Sequence, residues 1–227
     1  MNQVKQQADA REETLRISVD AKAKINIGCF CRGGYNRVKV EAADHDFKSE
    51  VEIVPFGIFL PDWDDLFLYF TPSKVTADFI VDTLEDWWSE MKSDFPLVDT
   101  LVIHLDNGPE NNSHRTQFIK RIVSFAQTSQ LRIRLAYYPP YHSKYNPIER
   151  CWGVLEHHWN GNLLDTIDTV LSFARTMTWK GKQPTVKLIT KTYQTGVKLA
   201  KKAMRALEAK ISRLPNLEKW FIDISTA

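Results

Sequence analysis

Cysteine is scarce: three in 227 residues. That is an odd number in a chain too large to depend on a disulfide framework, and it points to a reducing compartment. Long apolar runs are missing too. The most apolar stretch, Ile53 to Leu60, is interrupted by Pro55 and Gly57 and falls far short of the roughly 20 residues a membrane span needs. The opening MNQVKQQADAREE is polar and charged, which excludes a secretory signal. Internal repeats and low-complexity tracts are absent, and 7 Trp, 7 Tyr and 12 Phe supply enough apolar surface to exclude long disorder. What remains is a cytoplasmic globular protein, whose length suits one domain with an appendage or two small domains.

A net excess of charge is also lacking. Thirty Lys and Arg against 28 Asp and Glu leave +2, a total that by itself argues against a nucleic-acid partner. The distribution argues otherwise. Between Lys180 and Arg213 ten basic residues face a single acid, Glu208, so that segment carries +9 and the remainder −7. An acidic body is joined to a basic tail.

The apolar pattern changes period along the chain. LRISVDAK alternates Leu15, Ile17 and Val19 with Arg16, Ser18 and Asp20, as a half-buried strand does. INIGCFC, closed by Arg32-Gly33-Gly34, reads as a second strand, and β-rich stretches follow at 51–60 and 66–71. From Thr76 to Phe95 apolar residues recur at near-helical spacing until Pro96 stops the run. A buried-type strand at 101–105, a turn at Asp106-Asn107-Gly108, a helix over 113–129 and a strand over 131–138 come next. The loop PPYHSKYN then leads to a helix opening at Pro147. Early antiparallel-type strands, then strands separated by helices, predict a mixed α/β sheet flanked by helices. WKGKQP marks the boundary to a basic helical stretch over 191–213. The expected division is a polar segment 1–13, a main domain 14–178 and a basic C-terminal helical extension 179–227.

Three acids stand where elements begin or end: Asp20 in the first strand, Asp106 after the strand at 101–105, and Glu149 in the first turn of a helix. Each has a plain structural role open to it. Asp20 reads as a solvated edge-strand acid, and Asp106 as the Asx residue of a turn. Glu149 reads as the N3 residue of a capping box, with Asn146 as N-cap and Pro147 at N1. Together they admit a second role. Asp106 opens LDNGPENN at the carboxyl end of an apolar strand, the edge where sheets with crossover connections bind ligands. A glutamate at a helix N-terminus is favoured in its ionised form by the helix dipole, which suits a metal ligand.

Asp20, Asp106 within LDNGPEN and Glu149 within SKYNPIERCWG resemble the three acids of bacterial insertion-sequence transposases of the DDE class. The likeness is closest to the ISAzo-type branch, which is related to the mariner-like transposases, and it covers roughly 14–225. It implies a ribonuclease-H-like, integrase-type catalytic domain that cleaves and joins DNA. It also implies that Asp20, Asp106 and Glu149 are both catalytic and metal-binding. Asp20 would bridge two Mg²⁺ (or Mn²⁺) ions, with Asp106 holding one and Glu149 the other. Two such ions about 3.5–4 Å apart activate the attacking oxygen and stabilise the leaving one, and hard ions take oxygen donors. The implied partners are DNA, as element ends and target, and further transposase chains; the implied setting is the bacterial nucleoid.

Two features depart from the mariner-like pattern. Forty-two residues separate Asp106 from Glu149, more than in mariner-like proteins, which implies an elongated helix or loop. Only 13 residues precede the first strand, where such transposases carry a helix-turn-helix domain. The chain therefore reads as a catalytic domain, a split-gene product or a remnant. The alternatives to an active transposase are a remnant that regulates by binding DNA or full-length transposase, and a plain metal-dependent nuclease.

Candidate DNA contacts surround these acids. Asn107, His142 and Lys144 flank them in sequence. Lys198, Lys201, Lys202 and Arg205 lie off an apolar stripe formed by Val197, Ala200, Met204, Leu207, Ile211 and Leu214; they meet phosphates or form a solvated face. The stripe itself packs on the main domain or pairs as a short coiled coil. His104 shares a strand side with Asp106 and reads as a core histidine or a neighbour of the site. Asp62, Asp64 and Asp65 form a competing acidic cluster that reads as a turn.

Overall fold

A computed structural model describes residues 11–35, 51–139 and 145–225, with the single positions 6, 41, 42 and 49; the side chain of Lys201 is excepted. The alternating stretch forms β1 (Thr14–Ala21), followed by β2 (Ile25–Ile27), β3 (Val51–Leu60) and β4 (Asp65–Thr71). Helix α1 (Ala77–Met91) precedes β5 (Thr100–Leu105), and α2 (Thr116–Ser129) joins β5 to β6 (Arg132–Tyr137). Then come α3 (Glu149–Trp159), α4 (Ile167–Thr176), β7 (Thr185–Leu188), α5 (Lys201–Glu208), β8 (Ile211–Arg213) and β9 (Phe221–Ile224). The sheet order is β7-β4-β3-β1-β5-β6-β9-β8, with β2 paired to β3 outside that path. β1 is antiparallel to β3 and parallel to β5, and β5 is parallel to β6. The expected mixed sheet is present, and β1 lies at its centre.

Period-two alternation gives β1 two different faces. Leu15, Ile17 and Val19 join the core under α1 and α2, with Phe79, Leu84 and Trp87 from one helix and Phe118, Ile122 and Phe125 from the other. The opposite core lies under α3 and α4, where Phe59, Leu68 and Phe70 meet Trp152, Leu155, Trp159 and Val170. Arg16, Ser18 and Asp20 point away from the first core and are nevertheless buried, at 7%, 0% and 7% exposure. The edge-strand reading of Asp20 is therefore corrected: its strand is central and α3 covers its polar face.

The entry to α3 also departs from the capping box. The helix starts at Glu149, later than expected, and Ile148 at the N-cap makes no side-chain cap. Asn146 is spent elsewhere. Its side chain accepts from Ser18 Oγ at 2.5 Å and donates to the Val19 carbonyl at 3.1 Å, while Ile148 N–H donates to Ser18 Oγ at 3.2 Å. These buried bonds fasten the start of α3 to β1. Gly57 makes room for it. That glycine pairs with Asp20 across β3 and β1. A Cβ there would stand 2.5 Å from Ile148 Cδ1 and 2.9 Å from the Trp152 ring.

Beyond α3 the expected single helix is two, divided at Asn160 and Gly161, where φ is +78°. The segment from 179 onward is also less helical than expected. Its helix is limited to Lys201–Glu208, because Gly196 (φ +75°) and the extended Ala200 interrupt the run before it. The rest adds strands to both ends of the sheet: β7 runs parallel to β4, and the β8–β9 hairpin joins β6. Met204, Leu207 and Ile211 pack on the core under α1 and α2, which is the packing role expected of the stripe. The long interval between Asp106 and Glu149 holds an ordinary 14-residue helix and β6, so no elongated helix stands there among the described residues.

Two glycines separate the seat of α3 from its surface. Gly57→Ala should destabilise the protein by about 1–3 kcal/mol through overpacking. Gly153→Ala, on the exposed side of α3 with no atom within 4 Å of the new Cβ, should stabilise it by about 0.5–1 kcal/mol. Urea denaturation measures both, and equal effects would show that α3 is not seated on Gly57.

Candidate active site

The register that pairs Ser18 with His104 continues toward Asp20 and Asp106, each two residues further on. The two acids therefore lie on neighbouring strands at the carboxyl edge of the sheet. Glu149 reaches the same neighbourhood from α3. Asp20 shows the convergence. Its carboxyl is pushed up from 3.8 to about 7, first by burial and then by the charges of Asp106 and Glu149. A hydrogen bond from Trp152 Nε1 to Asp20 Oδ2, at 2.8 Å, opposes that rise.

Asp106 is held by its own loop. Its Oδ1 accepts from Gly108 N–H at 3.1 Å, the Asx turn expected, and from Asn111 Nδ2 at 2.9 Å. Asn111 is itself buried, and its carbonyl accepts from the Tyr137 hydroxyl at 2.9 Å. Asn107 adopts φ +64° and accepts from Ser113 N–H at 3.4 Å, so it shapes the loop. Glu149, half-buried at the first position of α3, makes no side-chain hydrogen bond or ion pair among the described residues.

The three acids differ from their neighbours in one respect. Asp62, Asp64, Asp82, Asp99, Glu156 and Asp223 all pair with Arg or Lys, whereas Asp20, Asp106 and Glu149 form no ion pair among the described residues. A group of oxygen donors in which two acids raise the pKa of a third, with no cation to offset them, suits a divalent ion. Among the described residues no three His, Cys, Asp or Glu side chains close tightly enough to hold one ion. The coupling instead runs from Asp20 to each of the other two.

The remaining sequence candidates divide. Asp62, Asp64 and Asp65 are turn acids paired with Arg16, Lys180 and Lys182. His104 is fully buried, with its ring 5.7 Å from that of Tyr138, as a core histidine. His142, Lys144 and the Lys201 side chain lie outside the described residues. Lys198, Lys202 and Arg205 are exposed and form no ion pair among the described residues. Leu199 N–H donates to Thr116 Oγ1 at 3.1 Å, and Arg213 Nη2 donates to the Ser113 carbonyl at 3.1 Å. These bonds bring the basic segment against the loop that carries Asp106. Sequence reasoning missed Ser18, Gly57 and Trp152. A lone glycine inside a strand was the available signal, since it marks a close approach; the two polar partners had none.

Asp20 also sets a pH dependence. The unfolded chain releases this proton near 3.8 and the folded chain near 7, so the folded state loses stability as pH rises between those values. The gap corresponds to about 4 kcal/mol above pH 7. With a chelator present, Asp20→Asn should be about 2–4 kcal/mol more stable than wild type at pH 8 and nearly equal to it at pH 4. Urea midpoints at the two pH values measure this, and a variant less stable at pH 8 would refute the buried-charge cost.

No curated protein matches the chain. Mos1 transposase, in its paired-end complex with the left transposon end, is 11% identical with a TM-score of 0.52, over 75% of this chain and 49% of that one. The Mos1 mariner paired end complex with Mn is 12% identical with a TM-score of 0.49, over 70% and 46%. The chain thus spans about half the length of these proteins. The first likeness shows the ribonuclease-H-like fold of transposase catalytic domains. The model of the Rhodopirellula transposase DDE domain matches residues 1–226, and the chain belongs to that family.

Proposed function

We propose that this protein is the catalytic part of a DDE transposase, cleaving DNA strands and transferring them in a reaction that depends on divalent metal. One observation carries the reading: three acids from β1, the loop after β5 and α3 share the carboxyl edge of the sheet, and no described basic side chain neutralises them. Asp20, Asp106 and Glu149 would hold two Mg²⁺ or Mn²⁺ ions, with Asp20 shared. When bound, such ions activate the attacking water or 3′-hydroxyl and stabilise the leaving oxygen in an in-line displacement at phosphorus. No protein nucleophile is needed.

The chain's own part is positional and electrostatic. Asp20 sits on the central strand, where pairing with Gly57 of β3 fixes its backbone. Asp106 is fixed by the Asx turn, and Glu149 by the bonds that tie Asn146 to β1. Burial lowers the local dielectric and strengthens what each carboxylate exerts on a bound cation. Lys198, Lys202 and Arg205, beside the Asp106 loop, bind DNA phosphates, which puts the protein at the nucleoid.

Two assays test this. With Mg²⁺ or Mn²⁺ and DNA carrying the element's ends, wild type should nick or join strands. Asp20→Asn, Asp106→Asn and Glu149→Gln should each lose activity by about 100-fold or more; an unchanged Asp106→Asn would sink the assignment. Replacing Lys198, Lys202 and Arg205 together by Ala should weaken DNA binding whatever the sequence. It should also flatten the plot of log affinity against log salt by about 1 for each phosphate no longer neutralised. An unchanged slope would remove this segment from the DNA interface.

A further inference from the structure

Helix α3 contains two tryptophans that donate indole N–H groups to carboxylates, and the two acids differ in kind. Trp159 Nε1 donates to Glu156 at 2.9 Å, and Glu156 also pairs with Lys22 at 2.8 Å and Arg32 at 3.2 Å. Its charge is already neutralised within the chain. Trp152 Nε1 donates to Asp20 at 2.8 Å, where no ion pair accompanies the bond among the described residues. Asp106 repeats the second pattern: Oδ1 takes the Asn111 amide at 2.9 Å, and Oδ2 has no partner among the described residues.

We propose that Trp152 and Asn111 are the positioning residues of the two aspartates, each anchoring one carboxylate oxygen with a neutral N–H so that the other is aimed at a divalent cation. This rests on the metal-site reading given above. The chemical choice is informative. A Lys or Arg at either position would fix the carboxylate equally well, but its charge would offset the charge a divalent ion requires. An indole or amide N–H restricts the rotamer and leaves the carboxylate's negative charge in place. Both donors are in turn fixed. The Trp152 ring lies in the space left by Gly57, within 2.9 Å of the position a Cβ would take. The Asn111 backbone carbonyl is held by the buried Tyr137 hydroxyl.

Mn²⁺ binding to the full chain, followed by loss of the free-ion electron paramagnetic resonance signal, tests this without reference to turnover. Trp152→Phe keeps a ring beside Gly57 and deletes only the donor; it should weaken Mn²⁺ binding about tenfold or more. Asn111→Ala should do the same through Asp106, with the Gly108 bond retained. Trp159→Phe deletes an equivalent indole–carboxylate bond in the same helix and should leave binding within about twofold of wild type. The proposal is overturned if Trp152→Phe and Asn111→Ala bind like wild type, or if Trp159→Phe loses as much as they do. Should Trp152→Phe lack a cooperative thermal transition, Asn111→Ala decides alone. Asp20→Asn separates the levels. If it abolishes binding while the donor variants do not, only the positioning role falls; if it binds like wild type, the metal-site reading falls with it.

Discussion

Asp20 is an acid on the central strand of a nine-stranded sheet, covered by a helix and left without a counter-charge among the described residues. Burying an ionised carboxylate is costly unless it is paired, and the structure meets the cost only in part. One indole N–H and the Ala21 backbone N–H lower the carboxyl's pKa, while burial and two neighbouring acids raise it. The surrounding architecture follows from keeping that group in place. β1 must be central, so that pairing on both sides holds the strand. α3 must press on the polar face of β1, so Ser18 and Asn146 satisfy each other there. Gly57 must lack a side chain, so that α3 can come close.

The charge asymmetry of the sequence has a physical reading different from simple division between body and tail. Lys187 pairs with Asp86 and Glu90, and Lys191 with Asp82, all on α1, while Lys180 and Lys182 pair with the β3–β4 turn. Tyr193 is buried against Phe79 and donates to Asp82. Four of the ten basic residues therefore seat the C-terminal segment on the body of the protein, two on α1 and two on the β3–β4 turn. The cations that remain unpaired among the described residues, including Lys198, Lys202 and Arg205, begin where the chain passes the Asp106 loop. Net charge describes this poorly because paired and unpaired residues count alike.

Much of the fold was legible because it is written in short-range periodicity. The alternation in β1, the apolar run of β5 and the 3.6-residue spacing of Phe79, Leu84, Trp87 and Trp88 each identify an element from its own residues. Two of the three candidate acids stand out in the sequence because they lie in local motifs, LDNGPEN and NPIE. What escaped is long-range. Asn146 looks like an N-cap from its neighbours, and only the arrival of Ser18, 128 residues away in sequence, gives its amide a better partner. The helical stripe after Val197 has the right spacing, but Gly196 and the pull of the β8–β9 hairpin onto β6 confine the helix to eight residues.

The same physics explains why the acids are clustered where the fold would otherwise avoid them. A neutral residue at position 20 would carry no ionisation cost under α3, and the folded state would be more stable for it at neutral pH. A buried acid with a raised pKa instead costs stability as pH rises from its unfolded value towards its folded one, and the full cost stands above that. In the proposed metal site, binding of a cation and ionisation of Asp20 would be linked: each would favour the other, and the folded state would gain from the ion the stability it lacks without it. Under that proposal, neutral donors at Trp152 and Asn111 would preserve the linkage, because a built-in cation would have satisfied the carboxylates permanently. On the proposed reading, the cost of burying Asp20 and an affinity of the site for a divalent ion would be two consequences of one arrangement.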